Sequence, residues 1–463
     1  MKDYRLKVEP FAFVNLREVK ISKQADEHSF VSIAGVIAAE KEDEYLQYSI
    51  QNKHTPISIA AIDENGGDML LFYGVAVSIQ MHKAGNVITM EITGKSSSYL
   101  LDITPHFRTY QDVSMKCSDV LKVTGENYDG FQYIIKSPDI PLGAFTVQYY
   151  QTDWQFMKRM ANRSGSFLVP ADTFSGIRFY MGMPVLNTHA LAEDIDFSVQ
   201  KDHERFDDLQ KRGLSDISQS DIVSYLVQSR EIYEIGDEVI FHGMKLFVFR
   251  IDSSYDGQEM VHVYTLKTAG GFRTAELLNE DVIGASLDAQ VINVNQDEVQ
   301  VKVTGDEYSN KVYSWFSYAT VYSSPNGAGW YCMPELGDLV RLYIPDKNER
   351  QAFVFNAMHE QSELRTDPDI KFLRNKYGKE IRFTPDSLVM TNNSGMEISI
   401  VDGSGVFIES DQAVSVKADG NIDISSSAGI SMMAGDSISV QQGGTSLVLD
   451  DNISFTGGKL QMQ

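Results

Sequence analysis

The sequence is poor in cysteine and in basic residues, and each shortage excludes a class of protein. Its 463 residues include only Cys117 and Cys332, which excludes a disulfide scaffold and suits synthesis in a reducing cytoplasm. The 40 Lys and Arg residues are outnumbered by 64 Asp and Glu residues, for a formal net charge of −24. Nucleic acids and anionic lipids require a basic face, so we expect the general surface to bind neither.

Long apolar runs and an export signal are also missing. The longest apolar stretches, Phe30–Ala39 and Met69–Val77, fall short of the roughly 18 residues that span a bilayer. The charged start, Met1–Arg5, is not followed by an apolar signal core, so we expect no signal peptide.

The spacings that mark catalytic and metal sites are absent as well. The nine histidines form no zinc-binding pair, and no Gly-x-Ser-x-Gly elbow occurs. Gly94-Lys95-Ser96 lacks the upstream glycine of a phosphate-binding loop, since position 89 is Thr89, and we predict a strand end there. The polar run 203–208, with His203, Glu204, Asp207 and Asp208, is predicted as a solvated helix face. We therefore predict no enzyme, no catalytic residue, no cofactor and no metal.

What the sequence has is an eight-residue repeat near its C-terminus. One apolar series consists of Ile398, Val406, Val414, Ile422, Ile430 and Ile438, and a second of Ile400, Ile408, Val416, Ile424, Met432 and Val440. Residues two apart on a strand share a face, so each pair points the same way. Leu388 and Met390 extend the pattern backwards, and Leu447, Leu449, Ile453 and Phe455 keep the two-residue spacing without the strict period. The intervening residues are predicted to face outwards: Ser399, Phe407, Ser415, Asp423, Ser431 and Ser439.

The length of the repeat predicts a homotrimer. An octad supplies about one strand and one turn, whereas a coil of a single-chain β-helix needs roughly 20 residues. Three identical chains would supply three faces and close a prism around the two apolar series. From Gly395 to Gln463 the net charge is −7 per chain, or −21 for three chains. A stiff acidic needle is the simplest interpretation, and a monomeric solenoid with three octads per coil is the alternative.

Residues 284–360 are predicted to form an OB-fold barrel from five short strands. These are Ser286–Val294, Glu298–Thr304, Trp315–Tyr322, Leu339–Ile344 and Gln351–Ala357. OB barrels often stack bases on aromatic side chains, and Trp315, Tyr318, Trp330 and Tyr331 are available. However, the segment has a net charge of −5, so we predict that these aromatics lie in the core or at a subunit interface.

Residues 1–280 are predicted to be strand-rich, with helices near 153–163 and 219–228. Alternating runs at 29–38, 57–61, 69–79 and 87–93 indicate strands, as do the runs 239–251 and 260–267. The first helix begins with a capping box of Thr152 and Gln155 and ends before Gly165.

Three motifs resemble the VgrG-type spike proteins and phage baseplate hubs. The run from Trp330 through Pro334 and Gly337-Asp338 to Val340 is similar to the family's OB-domain signature. The helix segment 151–165 and the segment 375–383 resemble its hub helix and the start of its needle. The resemblance covers nearly the whole chain.

The resemblance implies a mainly β fold in four parts. Residues 1–280 would form a hub of two tail-tube-like β-barrels with a few helices, and residues 284–360 the OB-fold barrel. A connector over 361–379 would lead to an intertwined triple-stranded β-helix over 380–463, formed by a homotrimer. Three chains would present six barrels, which would let a trimeric spike sit under a hexameric tube.

The resemblance also implies a function, partners and a location. The chain would be the hub and spike of a phage tail, a phage-tail-like bacteriocin or a type VI secretion system, made in the bacterial cytoplasm and built into a particle. Its partners would be a tail tube or tube-initiator ring, other baseplate proteins and, transiently, the target membrane. The connector leaves no room for the enzymatic insert of some relatives, and no toxin domain is expected after the needle. No His follows His359, so an apical iron site is not expected, and a PAAR-type tip protein is expected to dock near Leu460 and Met462.

Two other functions remain open. A trimeric receptor-binding tail fibre would share the needle, but fibres usually attach by a short stalk and not by about 280 residues of paired barrels. A β-helical carbohydrate-active enzyme would need a coil period near 20 and a cluster of carboxylates on one face, and neither pattern is visible in the sequence.

Overall fold

A computed structural model describes residues 5–62, 67–192, 194–359, 361–449, 451, 453–456 and 459. The chain divides into two compact units, Met1–His359 and Glu360–Gln463. Four α-helices are found in the described residues, all of them in the first unit. They are α1 (Glu42–Gln51), α2 (Cys117–Gly125), α3 (Asp153–Arg163) and α4 (His203–Lys211).

The first unit is built on one twelve-stranded sheet. Its first six strands are β1 (Arg5–Glu9), β2 (Phe13–Gln24), β3 (Phe30–Ile37), β4 (Pro56–Ile62), β5 (Asp68–Ala84) and β6 (Val87–Ser96). Between these and the remaining six come β7 (Pro105–Tyr110), β8 (Gln132–Ile135), β9 (Thr146–Thr152), β10 (Leu168–Pro170) and β11 (Arg178–Met181), which form smaller sheets. The other six strands of the large sheet are β12 (Thr188–Ala190), β13 (Phe197–Lys201), β14 (Val223–Ser229), β15 (Glu238–Phe241), β16 (Met244–Tyr255) and β17 (Met260–Lys267).

The two halves of this sheet join where β2 pairs antiparallel with β16. Each half has its own apolar core, because inward residues alternate along its strands. The first core contains Ile33, Ile59 and Phe72, and the second contains Phe241 and Leu266. The arrangement of these halves as two tube-like barrels stays a prediction.

Helix α3 forms the centre of a third core, which also receives α2 and the sheet β10-β11-β8. The predicted capping box is present: Thr152 Oγ1 accepts from the backbone N–H of Gln155, and Gln155 Oε1 accepts from that of Thr152, both at 3.2 Å. The apolar face of the helix, with Phe156, Met157 and Met160, is completely buried. The predicted helix over 153–163 is thus confirmed.

The predicted helix at 219–228 is wrong. The structure places strand β14 at Val223–Ser229, hydrogen-bonded between β13 and β17. The exposed edge of β17 requires a partner strand, and Val223, Tyr225 and Val227 alternate as a strand would. The polar run 203–208 instead lies on helix α4 with its four named side chains exposed, as predicted. Gly94-Lys95-Ser96 ends strand β6, also as predicted.

The predicted five-stranded barrel is confirmed as a closed barrel. Its strands are β18 (Ser286–Asn295), β19 (Glu298–Val303), β20 (Trp315–Ala319), β21 (Leu339–Tyr343) and β22 (Phe353–Ala357). The interior is aliphatic, with Val291, Val301 and Leu342 buried. Trp315, Trp330 and Tyr331 are exposed and are therefore not core residues, and the alternative that they lie at a subunit interface stays a prediction.

The second unit consists of antiparallel strands joined in chain order. The first sheet comprises β23 (Lys371–Arg374), β24 (Glu380–Thr384), β25 (Ser387–Thr391), β26 (Met396–Val401) and β27 (Gly405–Ser410). The second comprises β28 (Ile438–Gln442), β29 (Thr445–Leu449) and β30 (Ile453–Thr456). The predicted connector, 361–379, therefore contains a strand, because β23 pairs with β24.

Candidate functional site: an apolar sheet face in the second unit

The strand register gathers the predicted needle residues into two rows on one face of the first sheet. Directly opposed residues on neighbouring strands share a face. One row runs through Leu373, Ile381, Met390, Ile398 and Ile408. The other runs through Phe383, Leu388, Ile400 and Val406. Leu373, Ile381 and Phe383 were not predicted as part of this face, although the two-residue spacing of Ile381 and Phe383 indicates a shared strand face.

The same arrangement recurs in the second sheet. Ile438 is paired with Leu449 and then Ile453, and Val440 with Leu447 and then Phe455. The side chain of Phe455 is not among those described. The predicted tip-docking residues, Leu460 and Met462, lie outside the described residues.

Between the two sheets, residues 411–437 have no strand partner among the described residues. The backbone bends at 411–412, 419–420, 427–428 and 435–436, so the eight-residue period of the sequence is also the period of the backbone. Residues 413–437, all of them described, make no backbone-to-backbone hydrogen bond. A strand in this state carries unpaired donors and acceptors that another chain is able to satisfy.

Most of the predicted needle core is exposed in the single chain. Exposure ranges from 47% for Ile398 to 75% for Val416. The exposed members are Met390, Ile398, Ile400, Val406, Ile408, Val414, Val416, Ile422, Ile424, Ile430, Met432, Val440 and Ile453, and Leu388, Ile438, Leu447 and Leu449 are half-buried. Among the described residues beyond 360, Val389 is the only buried hydrophobic side chain.

The opposite face of the first sheet is more polar and better covered. Ser399, predicted to face solvent, is buried, and this prediction is wrong. Its row runs from Arg382 through Val389 to Phe407, and these larger neighbours flank the small serine side chain. Glu380 is also buried, and its carboxylate accepts from Asn393 Nδ2 at 3.1 Å and pairs with Arg374 and Arg382 at 3.3 Å.

A second arrangement fastens the barrel to the hub within the first unit. Arg159 on α3 donates from Nη1 to both carboxylate oxygens of Glu349, at 2.9 and 2.8 Å, and both side chains are buried. The loop after β19 binds the backbone of β7: Asp306 accepts from the N–H of Thr109 at 3.0 Å, and Glu307 from that of Phe107 at 3.0 Å. These contacts join barrel and hub through buried or backbone-directed bonds.

Several buried charges of the hub are arranged as ion pairs. Lys23 reaches Asp172 at 2.9 Å and Glu234 at 3.1 Å, and Arg108 reaches Asp153 at 2.6 Å. Burial raises the pKa of Glu234, while Lys23 opposes the shift.

In the described part of the chain, no group of three His, Cys, Asp or Glu side chains is placed to hold a metal ion. None of the described helices is long and apolar enough to cross a membrane.

Comparisons with known proteins give matches by structure alone. No family model matches the sequence, and no curated protein matches it. An E. coli component of the type VI secretion system, described as structurally similar to the bacteriophage T4 tail proteins gp27 and gp5, superposes with a TM-score of 0.55 at 12% identity, over 76% of this chain and 99% of its own. VgrG in two complexes with PdpA gives TM-scores of 0.59 (the lidless form) and 0.61 (the lidded form, from Francisella), both at 11% identity. These two matches cover 88% and 89% of this chain, and 98% and 80% of theirs.

The chain has a VgrG-like hub fold. The resemblance stated from the sequence motifs is thereby confirmed at the level of the fold. In this VgrG-like chain the dipeptides Gly236-Asp237 and Gly337-Asp338 build the same turn. Gly236 and Gly337 have φ values of 87° and 94°, which favour glycine. Asp237 and Asp338 each accept from the backbone N–H three residues earlier, at 3.0 and 2.8 Å, just before β15 and β21 begin.

Proposed function

We propose that this chain is the hub and spike at the tip of a contractile injection machine. Three copies would pack their octad faces together into a triple-stranded β-helix, and their hubs would adapt a hexameric tube to that needle. Sheath contraction would drive the tube, and the needle would transmit the force to the target envelope. This mechanism is mechanical and requires no catalytic residue.

The exposed apolar face of the second unit carries the proposal. A row of Ile, Val, Leu and Met side chains at a fixed period would not stay in water without a partner surface, because each side chain contributes about 1.5–3 kcal/mol when fully buried. Three-fold packing would place equivalent residues of three chains at one level and bury all of them. It would also pair the backbone of residues 413–437 between chains, so bending the shaft would break many hydrogen bonds together.

The VgrG-like hub fold supports the rest of the proposal. In the two similar complexes VgrG is bound to PdpA, and the E. coli relative is a component of a type VI secretion system. By analogy we propose that this chain contacts a tail tube or tube-initiator ring and other baseplate proteins. A PAAR-type tip protein would dock at the C-terminal end, near Leu460 and Met462. We propose an assembled particle, a virion, tailocin or secretion apparatus, as its location.

The mass of the purified full-length chain in solution tests the proposal. Light scattering should give three times the chain mass of 51.9 kDa. A single-chain mass at micromolar concentration would contradict both the trimer and the needle. Assembled particles that carry a deletion of 395–463 should retain folded hubs and lose activity against target cells, and full activity of such particles would contradict the piercing role.

A further inference from the structure

The first sheet of the second unit, β23 to β27, has turns of opposite charge at its two ends. Its strands are antiparallel and follow one another along the chain, so alternate turns lie at opposite ends of the sheet. The turns 375–379 and 392–395 lie at the first end, and the turns 385–386 and 402–404 lie at the second. The charged residues of the first pair of turns are Lys376 and Lys379, and those of the second pair are Asp386 and Asp402.

At each end, a hydrogen bond joins the neighbouring turns. At the first end, Asn393 donates from Nδ2 to the carbonyl oxygen of Gly378 at 2.9 Å. At the second end, the backbone N–H of Asp402 donates to the carbonyl oxygen of Asp386 at 2.9 Å. The carboxylate of Asp386 also accepts from Thr384 Oγ1 at 2.7 Å. The two aspartates are therefore neighbours, and both are exposed.

Within one chain the two ends do not neutralise each other. Lys379 and Asp386 lie on either side of β24, and the five residues of that strand span about 17 Å. Among the described residues, no carboxylate oxygen lies within 4.0 Å of the Lys379 ammonium, and no cation lies that close to Asp386. The buried carboxylate of Glu380, next to Lys379 in the chain, is engaged by Arg374 and Arg382, both at 3.3 Å.

Other charges near the two ends lie apart from these turns. Glu397 lies on β26, Glu409 lies on β27, and Asp411 follows β27. These strands are the second and third neighbours of β24, at roughly 10–14 Å, which exceeds the Debye length of about 8 Å at physiological salt. Near the second end, Lys371 donates to the carbonyl oxygen of Pro368. The turn that carries the two lysines is therefore locally basic, although the whole chain is acidic.

A three-fold arrangement would bring the unlike ends together. In the proposed needle three copies turn their apolar faces to a common axis, so the first end of one sheet adjoins the second end of the next. A contact between two different surfaces closes into a ring when the rotation fits three copies. We propose that the turn 375–379 of each chain forms ion pairs with Asp386 of a second copy, beside Asp402, and so fixes the register of the three chains where the needle begins.

This inference rests on the proposed function for the trimer itself and adds the contact that orders it. Exposed ion pairs contribute little affinity, but they favour one neighbour and one register over others. The apolar rows repeat every eight residues and would pack equally well after a shift of one octad. The charged turns occur once, at the start of the repeat, and would therefore exclude such a shift.

Carbodiimide crosslinking of the full-length chain tests the contact. This reagent joins an amine directly to a carboxylate, so it links only groups that touch. Peptide mapping of the covalent dimer should show Lys376 or Lys379 joined to Asp386. Lys417 is the internal control, because it is equally exposed but lies outside these turns, and it should not be joined to Asp386. A trimer mass in light scattering without the expected crosslink would overturn the inference and leave the proposed function standing, whereas a single-chain mass would contradict both.

Charge reversal provides a second test with matched variants. Asp386→Lys, and separately the pair Lys376→Glu and Lys379→Glu, should place like charges at all three contacts and lower the Tm of the trimer at low salt. The three substitutions together restore opposite charges between chains, so their Tm should lie closer to that of the wild type than the summed losses predict. In about 1 M sodium chloride these differences should shrink, because the Debye length falls to about 3 Å. Lys417→Glu is the control reversal, and Asp386→Lys should not compensate for it. Additive losses at low salt would overturn the inference.

Discussion

At the scale of single residues, the ion pair between Arg159 and Glu349 is the most consequential contact of the first unit. Both oxygens of Glu349 accept from Arg159, and the two side chains belong to the hub helix and to the barrel. Arg159→Met would leave the buried Glu349 carboxylate with only the more distant Arg163, whose Nη2 lies 3.9 Å from Oε1, at a cost of about 3 kcal/mol. Urea unfolding of the full chain measures this loss.

The double variant Arg159→Met, Glu349→Leu serves as the control. It removes both charges of this pair and takes from Arg163 only the 3.9 Å contact with Glu349, so its stability should lie closer to that of the wild type than the single variant's does. Equal losses in the single and double variants would contradict the assignment of the cost to an unpaired charge.

His262 gives a pH dependence at the same scale. Burial, followed by the charge of Lys23, lowers its pKa from 6.5 to about 4, and its ring accepts or donates a 2.7 Å hydrogen bond at Ser253 Oγ. The neutral ring is stabilising above pH 6.5, and this contribution is lost as the pH falls towards 4, because only the unfolded chain takes up the proton readily. The loss should be roughly 3 kcal/mol.

The variant His262→Gln separates this contribution from that of the carboxylates, which titrate in the same pH range in both proteins. The difference in unfolding free energy between wild type and variant should be constant above pH 7. Between pH 6.5 and 4 the unfolding free energy of the wild type should fall relative to that of the variant. A difference that stays constant across this range would show that His262 titrates alike in the folded and unfolded chains.

At the scale of elements, the capping box of α3 makes a measurable contribution to the free energy of unfolding. Thr152 Oγ1 accepts from the N–H of Gln155 and donates to the carboxylate of Asp102. Thr152→Val keeps the volume and removes both bonds, and should cost about 1–2 kcal/mol in chemical denaturation. Thr152→Ser should restore most of the stability, since its hydroxyl can replace the cap. Unchanged stability of Thr152→Val would show that the hydroxyl group does not supply the stabilisation.

The two predicted helices show what local sequence determines. Residues 153–163 carry both their cap and their apolar stripe within eleven positions, so the sequence alone was sufficient. Residues 219–228 also follow a capping signature, Ser218 and Asp221, but their apolar residues fit either a helix or a strand. They form a strand because they pair with β17, about 40 residues further along the chain. Such long-range pairing is not visible in a local pattern.

The octad strands make a prediction that separates the single chain from the trimer. Ile424 is 66% exposed in the isolated chain, so Ile424→Asp would cost that chain little. In the proposed trimer the change would bury three carboxylates at one level, and each buried ion costs several kcal/mol. Light scattering and thermal melting of Ile424→Asp should therefore show dissociation or a large loss of Tm. Ser431→Asp, at a predicted outward position, is the matched control and should leave both unchanged.

At the scale of the whole molecule, the sequence predicted the order of parts and the apolar pattern but not the strand partners. The five-stranded barrel and the octad face followed from alternation and period, which are local properties. The barrel–hub contacts of Glu307 with Phe107 and of Glu349 with Arg159 join residues about 200 positions apart, and no local pattern encodes them.

The distribution of buried side chains leads to a prediction about the two units. All five apolar cores of the described residues lie in the first unit, whereas Val389 is the only buried apolar side chain among the described residues of the second. A chain cut after His359 should therefore keep the far-UV circular dichroism signal of its strands. Its urea midpoint should lie near that at which the hub of the full-length chain unfolds.

If the C-terminal sheets were a separately stable domain, residues 361–463 expressed alone would fold as monomers. We expect instead that they are unfolded when dilute and gain structure only as trimers, because one buried valine does not offset the chain entropy of about 100 ordered residues. Concentration-independent folding of that fragment would contradict the needle as a product of three chains.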